Sequence, residues 1–290
     1  MKEKKCKKYL FPILIIIVII ICLLIFFAVV EKGRTKQNNK SRNDNTVNIE
    51  DIEQESKQKK VYKSINVSVP IFMYHFILDD YGNNTDIENF VKPSTLEEQL
   101  KYIVDNGYQT IFVSEIEDLS NYTKPVALTF DDCFVYFYNN AFPLLKKYNQ
   151  KASIYIICNY VNGENYLTTE QIQEMVDSGL VSVESHTLSH KKLTSLSIEE
   201  MQKELVESKK YLDSTYGVNV DTICYPIGDY NDNVIKYAKG NYKYGLAMTG
   251  GVYYSKKHDL YKIPRIYANR SMKINEFAKH LEKAKVEVIY

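Results

Sequence analysis

Two short motifs carry most of the side chains that could do chemistry in this chain. The pair Asp131-Asp132 directly follows the apolar run Val126–Phe130, and the motif His186-Thr-Leu-Ser-His190 follows another apolar run further along. Carboxylates and imidazoles are ligands for Zn²⁺ and similar ions, and a carboxylate is also a general base for water. The residue types therefore predict a hydrolase with one bound divalent ion and a carboxylate base.

The spacing within each motif predicts which side chains bind the ion and which acts on a water molecule. The side chains of Asp131 and Asp132 diverge if the backbone is extended, so one can bind the ion while the other stands over a water molecule. On a helical turn, the spacing of His186 and His190 places both imidazoles on one face. Two imidazoles and one carboxylate make three protein ligands, which leaves positions open for water and a substrate oxygen.

Each motif alone also has a simpler explanation. An Asp-Asp pair after a strand is often a helix cap or a solvated turn, and His-x-x-x-His arises by chance on exposed helices. Both motifs occur here together, each at the end of a predicted strand, and this favours the functional interpretation.

Strands alternate with helices from residue 64 onward. Strands are predicted at Val69–His75, Val126–Phe130, Ala152–Ile157, Leu180–Glu184, Thr222–Tyr225 and Tyr244–Met248. Capping boxes at Ser94–Glu97, Thr168–Gln171 and Ser197–Glu200 open helices that end near Gly107, Gly179 and Gly217, and further helices run through Phe142, Leu145 and Tyr148 and over Asn275–Ala284.

Such alternation implies right-handed βαβ units and a mostly parallel sheet, either as a barrel or as an open doubly wound sheet. Functional groups gather at the carboxyl ends of the strands in these folds. Asp131, Asp132, His186 and His75 all lie at predicted strand ends, so we expect them to share one rim of the sheet.

The first 63 residues predict a membrane attachment. Residues 1–8 carry five lysines, and residues 9–30 contain no charged residue and are long enough to cross about 30 Å of hydrocarbon as a helix. Ala28-Val-Val-Glu31 is a poor cleavage site, which favours an uncleaved signal anchor. Residues 31–63 are polar and predict a disordered stalk. We therefore expect a single-pass protein of the cell membrane, with residues 64–290 as an extracellular catalytic domain.

Composition excludes several other classes of protein. The chain has 37 Lys+Arg against 36 Asp+Glu, so no global charge favours nucleic acid as a partner. No internal repeat and no obligate protein partner are indicated. Cys133, Cys158 and Cys224 form an odd set without paired spacing, so the domain is not a disulfide scaffold.

Three segments resemble a known family. Thr129-Phe-Asp-Asp132, Ser185-His-Thr-Leu-Ser-His190 and Tyr225-Pro-Ile-Gly228 resemble the motifs of the polysaccharide deacetylases with a NodB-type domain, carbohydrate esterase family 4. The resemblance covers roughly Pro70 to Ile266 and implies a distorted (β/α) barrel. The segments Pro70–His75, Cys224–Asn231 and Ile263–Arg265 look like the branch that acts on poly-β-1,6-N-acetylglucosamine.

The resemblance also implies roles for residues. Asp131 would be the general base, and Asp132, His186 and His190 would hold the ion, usually Zn²⁺. Such ligands also accept Co²⁺, Ni²⁺ or Fe²⁺. The backbone N–H of Ile227 would donate to the oxyanion. Acetate and a glucosamine amine would be the products.

The chain departs from the family pattern at two positions. Cys133 stands where glycine is usual, and it could pack as a small hydrophobic residue, bind metal or oxidise. Cys224 stands where the family often has an arginine that pairs with the base. We hypothesise that Arg265, after another predicted strand, takes over this pairing and keeps Asp131 ionised.

Two further assignments depend on position alone. No residue cleanly matches the family's later histidine, the acid for the leaving amine. The candidates are His75, His258 and His280, and we prefer His75 because it ends the first strand, although a packing role explains it equally well.

The chain has 25 Tyr and no Trp. Most tyrosines belong to the core or the half-buried surface, but Tyr136, Tyr225 and Tyr230 could line a glycan groove.

The sequence thus predicts a membrane-anchored, metal-dependent N-deacetylase of an N-acetylglucosamine polymer of the poly-β-1,6 type. Peptidoglycan is the alternative polymer. An O-acetyl esterase of sugars would use the same metal centre, and a glycan-binding protein with decayed catalysis would explain Cys133, Cys224 and the unmatched histidine.

Overall fold

A computed structural model describes residues 64–79, 82 and 87–289. The predicted basic tail (1–8), anchor (9–30) and stalk (31–63) lie outside the described residues, as do Cys6 and Cys22. Within the described part of the chain, no helix is both long enough and apolar enough to span a bilayer.

Thirteen strands and six α-helices make up the described part of the chain. The strands are β1 (Ser64–Val69), β2 (Ile71–Tyr74), β3 (Phe76–Ile77), β4 (Phe90–Val91), β5 (Gln109–Ile111), β6 (Pro125–Phe130), β7 (Ala152–Ile156), β8 (Val181–Ser185), β9 (Thr222–Cys224), β10 (Tyr244–Leu246), β11 (Tyr253–Tyr254), β12 (Ile266–Tyr267) and β13 (Lys285–Ile289). The helices are α1 (Pro93–Asp105), α2 (Phe142–Tyr148), α3 (Thr169–Asp177), α4 (Ile198–Tyr216), α5 (Asp232–Lys239) and α6 (Ile274–Leu281).

Eight parallel strands form the main sheet. Seven follow the order β10-β9-β8-β7-β6-β2-β12, and β5 pairs with the first half of β6. The strands curl into a half-barrel, so the predicted parallel α/β architecture is confirmed and the predicted barrel is a half-barrel. A second, antiparallel sheet has the order β11-β1-β13. Pro70, which has no N–H to donate, separates β1 from β2, and the predicted strand Val69–His75 is therefore divided between the two sheets.

The segment that leads into β12 connects the two edge strands of the main sheet, β10 and β12. The N–H of Ile263 donates to Gly245 O at 2.9 Å, and Ile266 pairs with Phe72 of β2. Arg265 lies between these two contacts. The expectation that Arg265 follows a strand is wrong: only an isolated bridge at Ile263 precedes it, and β12 begins after it.

Two of the three predicted capping boxes are present. The Thr168 side chain accepts from the N–H of Gln171, and the Ser197 side chain accepts from the N–H of Glu200. In both boxes the third residue's side chain bonds back to the cap N–H. The helices α3 and α4 therefore begin where the sequence predicts.

The predicted cap at Ser94 is wrong. Lys92 occupies the cap position of α1, without a side-chain bond, and Pro93 is the first helical residue. Proline suits that position because its fixed φ is helical and the missing N–H would have no partner there. The helix predicted after β6 is also modified, because a π-helical turn, Phe137–Ala141, precedes α2.

Alternation along the strands divides the apolar side chains between two cores. Phe72 and Phe130 face the helices, where they join Leu100 of α1 and Leu205 of α4. Side chains on the opposite face fill the interior of the half-barrel, and the small antiparallel sheet packs against them with Val67, Val69 and Tyr253. A strand buried on both faces needs mostly apolar residues, and Thr129, the one polar residue in the run before Asp131, donates its hydroxyl to Phe72 O.

The packing around Gly245 of β10 leaves no room for a side chain at this position. A Cβ atom there would lie 2.2 Å from the hydroxyl oxygen of Tyr225, whose ring is fully buried and whose hydroxyl donates to Tyr261 O. We expect Gly245→Ala to lower the free energy of unfolding by about 1–3 kcal/mol through overpacking. At Gly240 the nearest atom would be 3.5 Å away, and Gly240→Ala is the matched control in denaturant unfolding. Equal stability of the two variants would contradict this account.

Candidate metal and acid–base site

The carboxyl ends of the main-sheet strands surround a cleft of about 400 Å³. Its lining residues are His75, Asn89, Asp131, Asp132, His186, His190, Ile227, Met248 and Tyr267. The structure therefore brings the two sequence motifs together at one rim, where parallel α/β folds place their functional groups.

Three side chains in the cleft form a set that fits one cation. The Nε2 atoms of His186 and His190 lie 3.4 and 3.5 Å from Oδ1 of Asp132. Ligand atoms of one Zn²⁺ ion lie about 2.0–2.2 Å from it, which separates two such atoms by roughly 3.0–3.5 Å. Oδ1 of Asp132 is buried and has no hydrogen-bond partner. A buried carboxylate oxygen without a donor is costly, and a cation between the three groups would satisfy it.

The hydrogen bond made by Nδ1 of His186 leaves its Nε2 facing the proposed cation site. Its Nδ1 lies 2.8 Å from the carbonyl oxygen of Cys224, so Nδ1–H donates and Nε2 carries the lone pair that faces Asp132. Burial lowers the pKa of His186, but the contacts with Cys224 and Asp132 outweigh it and raise the pKa well above its usual value. A cation that binds Nε2 therefore has to displace a proton from it. Burial and the neighbouring His186 lower the pKa of His190.

The two histidines do not lie on a helical turn. Thr187 and His190 have left-handed backbone conformations, with φ of 68° and 57°. The expectation of a helix is wrong because the segment is a tight loop after β8. The loop still brings the imidazoles together, with ring centroids 4.7 Å apart.

Asp131 forms a buried ion pair with Arg265. Its two carboxylate oxygens accept from Nη1 and Nη2 at 2.7 and 2.8 Å. Burial alone would raise the pKa of the Asp131 carboxyl, but the charge and hydrogen bonds of Arg265 outweigh it and hold the pKa well below its usual range. Cys224 completes this group, with its sulfur 3.5 Å from Asp131 Oδ2.

The backbone turns sharply after Asp131. Asp132 and Cys133 both have positive φ, 69° and 56°. Side chains are disfavoured in this region and glycine is not, which gives a physical reason for the glycine that the family usually has at the position of Cys133. The Cys133 side chain is buried in the core, and burial raises the pKa of its thiol, so the group packs as a protonated, apolar side chain.

Among the three histidine candidates for an acid, His75 alone lines the cleft. Its Nδ1 is buried and has no hydrogen-bond partner. His258 accepts from the N–H of Tyr254, and the ring of His280 packs against Phe72. Both have structural contacts away from the cleft.

Ile227 also lines the cleft, and its backbone has a strained conformation. Its φ of 52° and ψ of 16° are unusual for a β-branched residue, and its side chain is 60% exposed. Gly228 follows with a φ of 69°, and a Cβ there would lie 2.9 Å from Met248 Cβ. Such strain at a cleft is typical of functional positions.

The predicted tyrosine groove needs correction. Tyr225 is fully buried with its hydroxyl bonded to Tyr261 O, and its ring packs against Tyr230 at 5.1 Å, so it offers no face to a sugar. Neither Tyr136 nor Tyr230 is among the residues that line the cleft. The aromatic residue there is Tyr267, which donates a hydrogen bond to Asn89 Oδ1. Its place two residues after Arg265 is the signal that could have found it.

The fold and the rim side chains together define a hydrolase of the parallel half-barrel class, with an ionised carboxylate beside a ligand set for one cation. The chain belongs to the polysaccharide deacetylase family, carbohydrate esterase family 4, whose domain is of the NodB type. A family profile described as Polysaccharide deacetylase matches residues 119–245. The family is one of metal-dependent enzymes.

Individual relatives support this membership. The Bacillus subtilis (strain 168) protein YxkH is 34% identical over 75% of this chain and 77% of its own length. The poly-β-1,6-N-acetyl-D-glucosamine N-deacetylase of Staphylococcus aureus (strain MSSA476) is 31% identical over 67% of this chain and 73% of its own length. The structure of the Streptococcus pyogenes deacetylase PplD in complex with acetate has a TM-score of 0.70 and 32% identity over 74% of this chain and 98% of that one.

Addition of Zn²⁺ is expected to stabilise the full-length protein against heat. A ligand at a hundredfold excess over its Kd adds about 2.7 kcal/mol to the free energy of unfolding. His190→Ala removes one of the three ligands and should abolish most of the shift in melting temperature. His258→Ala, which changes a histidine away from the cleft, should keep the shift. A shift that survives in His190→Ala would contradict the proposed ligand set.

Proposed function

We propose that this protein hydrolyses N-acetyl groups of an extracellular N-acetylglucosamine polymer of the poly-β-1,6 type and releases acetate. The observation that carries the proposal is the Asp131–Arg265 ion pair directly beside the Asp132, His186 and His190 cluster in one open cleft. The choice of a poly-β-1,6-N-acetylglucosamine polymer as substrate is supported by the S. aureus relative and by the segments Pro70–His75 and Ile263–Arg265, which resemble that branch of the family.

Asp131 is the proposed general base. The depressed pKa keeps the carboxyl ionised at neutral pH, so it is ready to accept a proton. A carboxylate has about four lone-pair directions, and the bidentate bond to Arg265 uses two of them. The Cys224 thiol faces a third. The remaining direction is available to a water molecule in the cleft, whose proton moves to Asp131 as the water oxygen attacks the acetyl carbonyl.

The other residues of the cleft have complementary proposed roles. Asp132, His186 and His190 hold a divalent ion, Zn²⁺ or alternatively Co²⁺, Ni²⁺ or Fe²⁺, which when bound supplies Lewis acidity toward the acetyl carbonyl and water. The backbone N–H of Ile227 donates to the developing oxyanion. His75, with its unpartnered Nδ1, protonates the leaving amine.

The membrane anchor and the extracellular location belong to the same proposal. They rest on the charge pattern of residues 1–30, where lysines precede an uncharged apolar stretch, and on the polar stretch 31–63. A catalytic domain beyond such an anchor would meet polymers outside the membrane.

One panel of substrates tests the chemistry and separates the alternatives. The purified full-length protein is incubated with β-1,6-linked and β-1,4-linked N-acetylglucosamine oligomers and with O-acetylated sugars, and acetate is measured. Release from the β-1,6 oligomers alone supports the proposal. Release mainly from β-1,4 oligomers indicates peptidoglycan as the polymer, release from O-acetyl groups alone indicates an esterase, and binding without release indicates a glycan-binding protein.

Asp131→Asn is expected to reduce acetate release by about 10²–10⁴-fold, because the amide cannot accept the proton. Bound Zn²⁺ should stay at the level of the unaltered protein, because the carboxylate of Asp131 is bound to Arg265 and is not one of the three proposed ligands. Metal content by elemental analysis and acetate release are measured on the same samples. Loss of the metal together with the activity would contradict the division of labour between the two aspartates.

Arg265→Met is expected to move the acid limb of the pH–rate profile to higher pH. Without the guanidinium, burial raises the pKa of Asp131 against only the smaller opposing effects of His186 and His75, so the base is protonated at a higher pH than before. Unpairing the buried carboxylate also lowers the free energy of unfolding by about 3–5 kcal/mol, so folding is checked by circular dichroism. Arg270→Met, at an exposed position, is the control. An unchanged acid limb in folded Arg265→Met would rule out this role of Arg265.

A further inference from the structure

The loop Ser185–His190, which we call the ligand loop, carries two of the three proposed metal ligands in an unfavourable backbone conformation. Thr187, a β-branched residue, has a φ of 68°, and His190 has a φ of 57°. Left-handed conformations at such residues persist only where surrounding contacts over-determine them. The position of the His190 imidazole therefore depends on what holds the loop.

Main-chain bonds hold the loop on the side of β7. The N–H groups of Cys158 and Asn159 donate to the carbonyl oxygens of Thr187 and Leu188 at 3.1 and 2.9 Å. These contacts fix the middle of the loop. They leave the N–H of Ser189, the residue directly before His190, to be bound by something else.

A buried carboxylate on α4 binds Ser189. Oε2 of Glu204 accepts from the Ser189 N–H at 2.9 Å, and Oε1 accepts from the Ser189 hydroxyl. Glu204 is only 6% exposed, and both of its carboxylate oxygens are bound to Ser189. Glutamate is rarely buried without a specific partner, because desolvation of its charge is costly. The bonds to Ser189 offset that cost.

One turn further along α4, Ser208 contacts the beginning of the same loop. The hydroxyls of Ser208 and Ser185 lie 2.9 Å apart, and the Ser185 hydroxyl accepts from the N–H of Thr187. Positions four apart on a helix share a face, so Glu204 and Ser208 hold the two ends of the ligand loop from one side. Glu204 acts at the end that carries His190.

We propose that Glu204 is a positioning residue that fixes His190 for the metal ion through Ser189. The inference rests on the ion site of the proposed function and concerns a residue outside the cleft. Without Glu204, the Ser189 N–H and hydroxyl lose their acceptor, the left-handed His190 is less firmly held, and its Nε2 no longer stays at 3.5 Å from Asp132 Oδ1. Partners that orient metal ligands in this indirect way typically contribute 10–100-fold to metal affinity.

The test measures Zn²⁺ affinity of the purified full-length protein by competition with a chelator, with no sugar present. Glu204→Ala is expected to weaken Zn²⁺ binding about 10–100-fold. Glu204→Gln should keep an affinity close to that of the unaltered protein, because the amide oxygen accepts from the Ser189 N–H and the amide nitrogen donates to the hydroxyl. Glu207→Ala, on the exposed face of the same helix, is the matched control.

A purely structural role would give a different pattern. Glu204→Ala would then lower the melting temperature of the metal-free protein while Zn²⁺ affinity stayed unchanged, and that result would overturn the proposal. If Glu204→Ala does not fold, Glu204→Met decides, because it keeps the length of the side chain and removes both oxygens that accept from Ser189. A weaker Zn²⁺ affinity in Glu204→Met supports the proposal, and an unchanged affinity overturns it.

Failure of the role proposed for Glu204 can be distinguished from failure of the proposed deacetylase function. If the unaltered protein binds Zn²⁺ but releases no acetate from any sugar, the deacetylase proposal fails while the affinities of the Glu204 variants still test the positioning role. If the unaltered protein binds no Zn²⁺ at all, the ion site fails and the role of Glu204 fails with it.

Discussion

The buried ion pair between Asp131 and Arg265 ties the site to the fold. Arg265 is 1% exposed, and Asp131 is 3% exposed, so neither charge is solvated and each depends on the other. Removing one partner of such a pair leaves an uncompensated buried charge, which is far more costly than loss of a surface pair. Arg265 lies in the segment that connects the edge strands β10 and β12. The same ion pair therefore links the proposed base to the curl of the half-barrel.

Several residues at the carboxyl ends of the main-sheet strands have strained backbone conformations, and hydrogen bonds stabilise the loops that contain them. Asp132, Cys133, Thr187, His190 and Ile227 all have left-handed backbones, and all follow a strand of the main sheet within a few residues. Because the chain turns sharply after a strand, the next side chain points into the cleft and does not continue along the sheet. The energetic cost, of order 1–3 kcal/mol at each such residue, is offset by the bonds of neighbouring elements to the loops.

Much of the architecture could be read from local patterns. The apolar runs predicted the parallel strands, and the capping boxes at Thr168 and Ser197 predicted the starts of α3 and α4 because a cap depends only on residues within one turn. The box at Ser94 failed because Pro93 determines the first turn more strongly. The groove of Tyr225 and Tyr230 failed because nearness to a motif along the chain does not say which way a ring points.

The sequence by itself determined which groups meet, since adjacent parallel strands bring their carboxyl ends to one rim and the residue types then specify ligands and a base. Tertiary structure decided the rest. The pairing of Arg265 with Asp131 was hypothesised from the family resemblance, and the structure contains this ion pair. The contacts of Glu204 with Ser189 and of Tyr267 with Asn89 were not predicted, because they depend on the curl of the sheet and the packing of α4. Periodicity reports burial of a side chain but carries no information about its partner across the fold, so those contacts could come only from the folded chain.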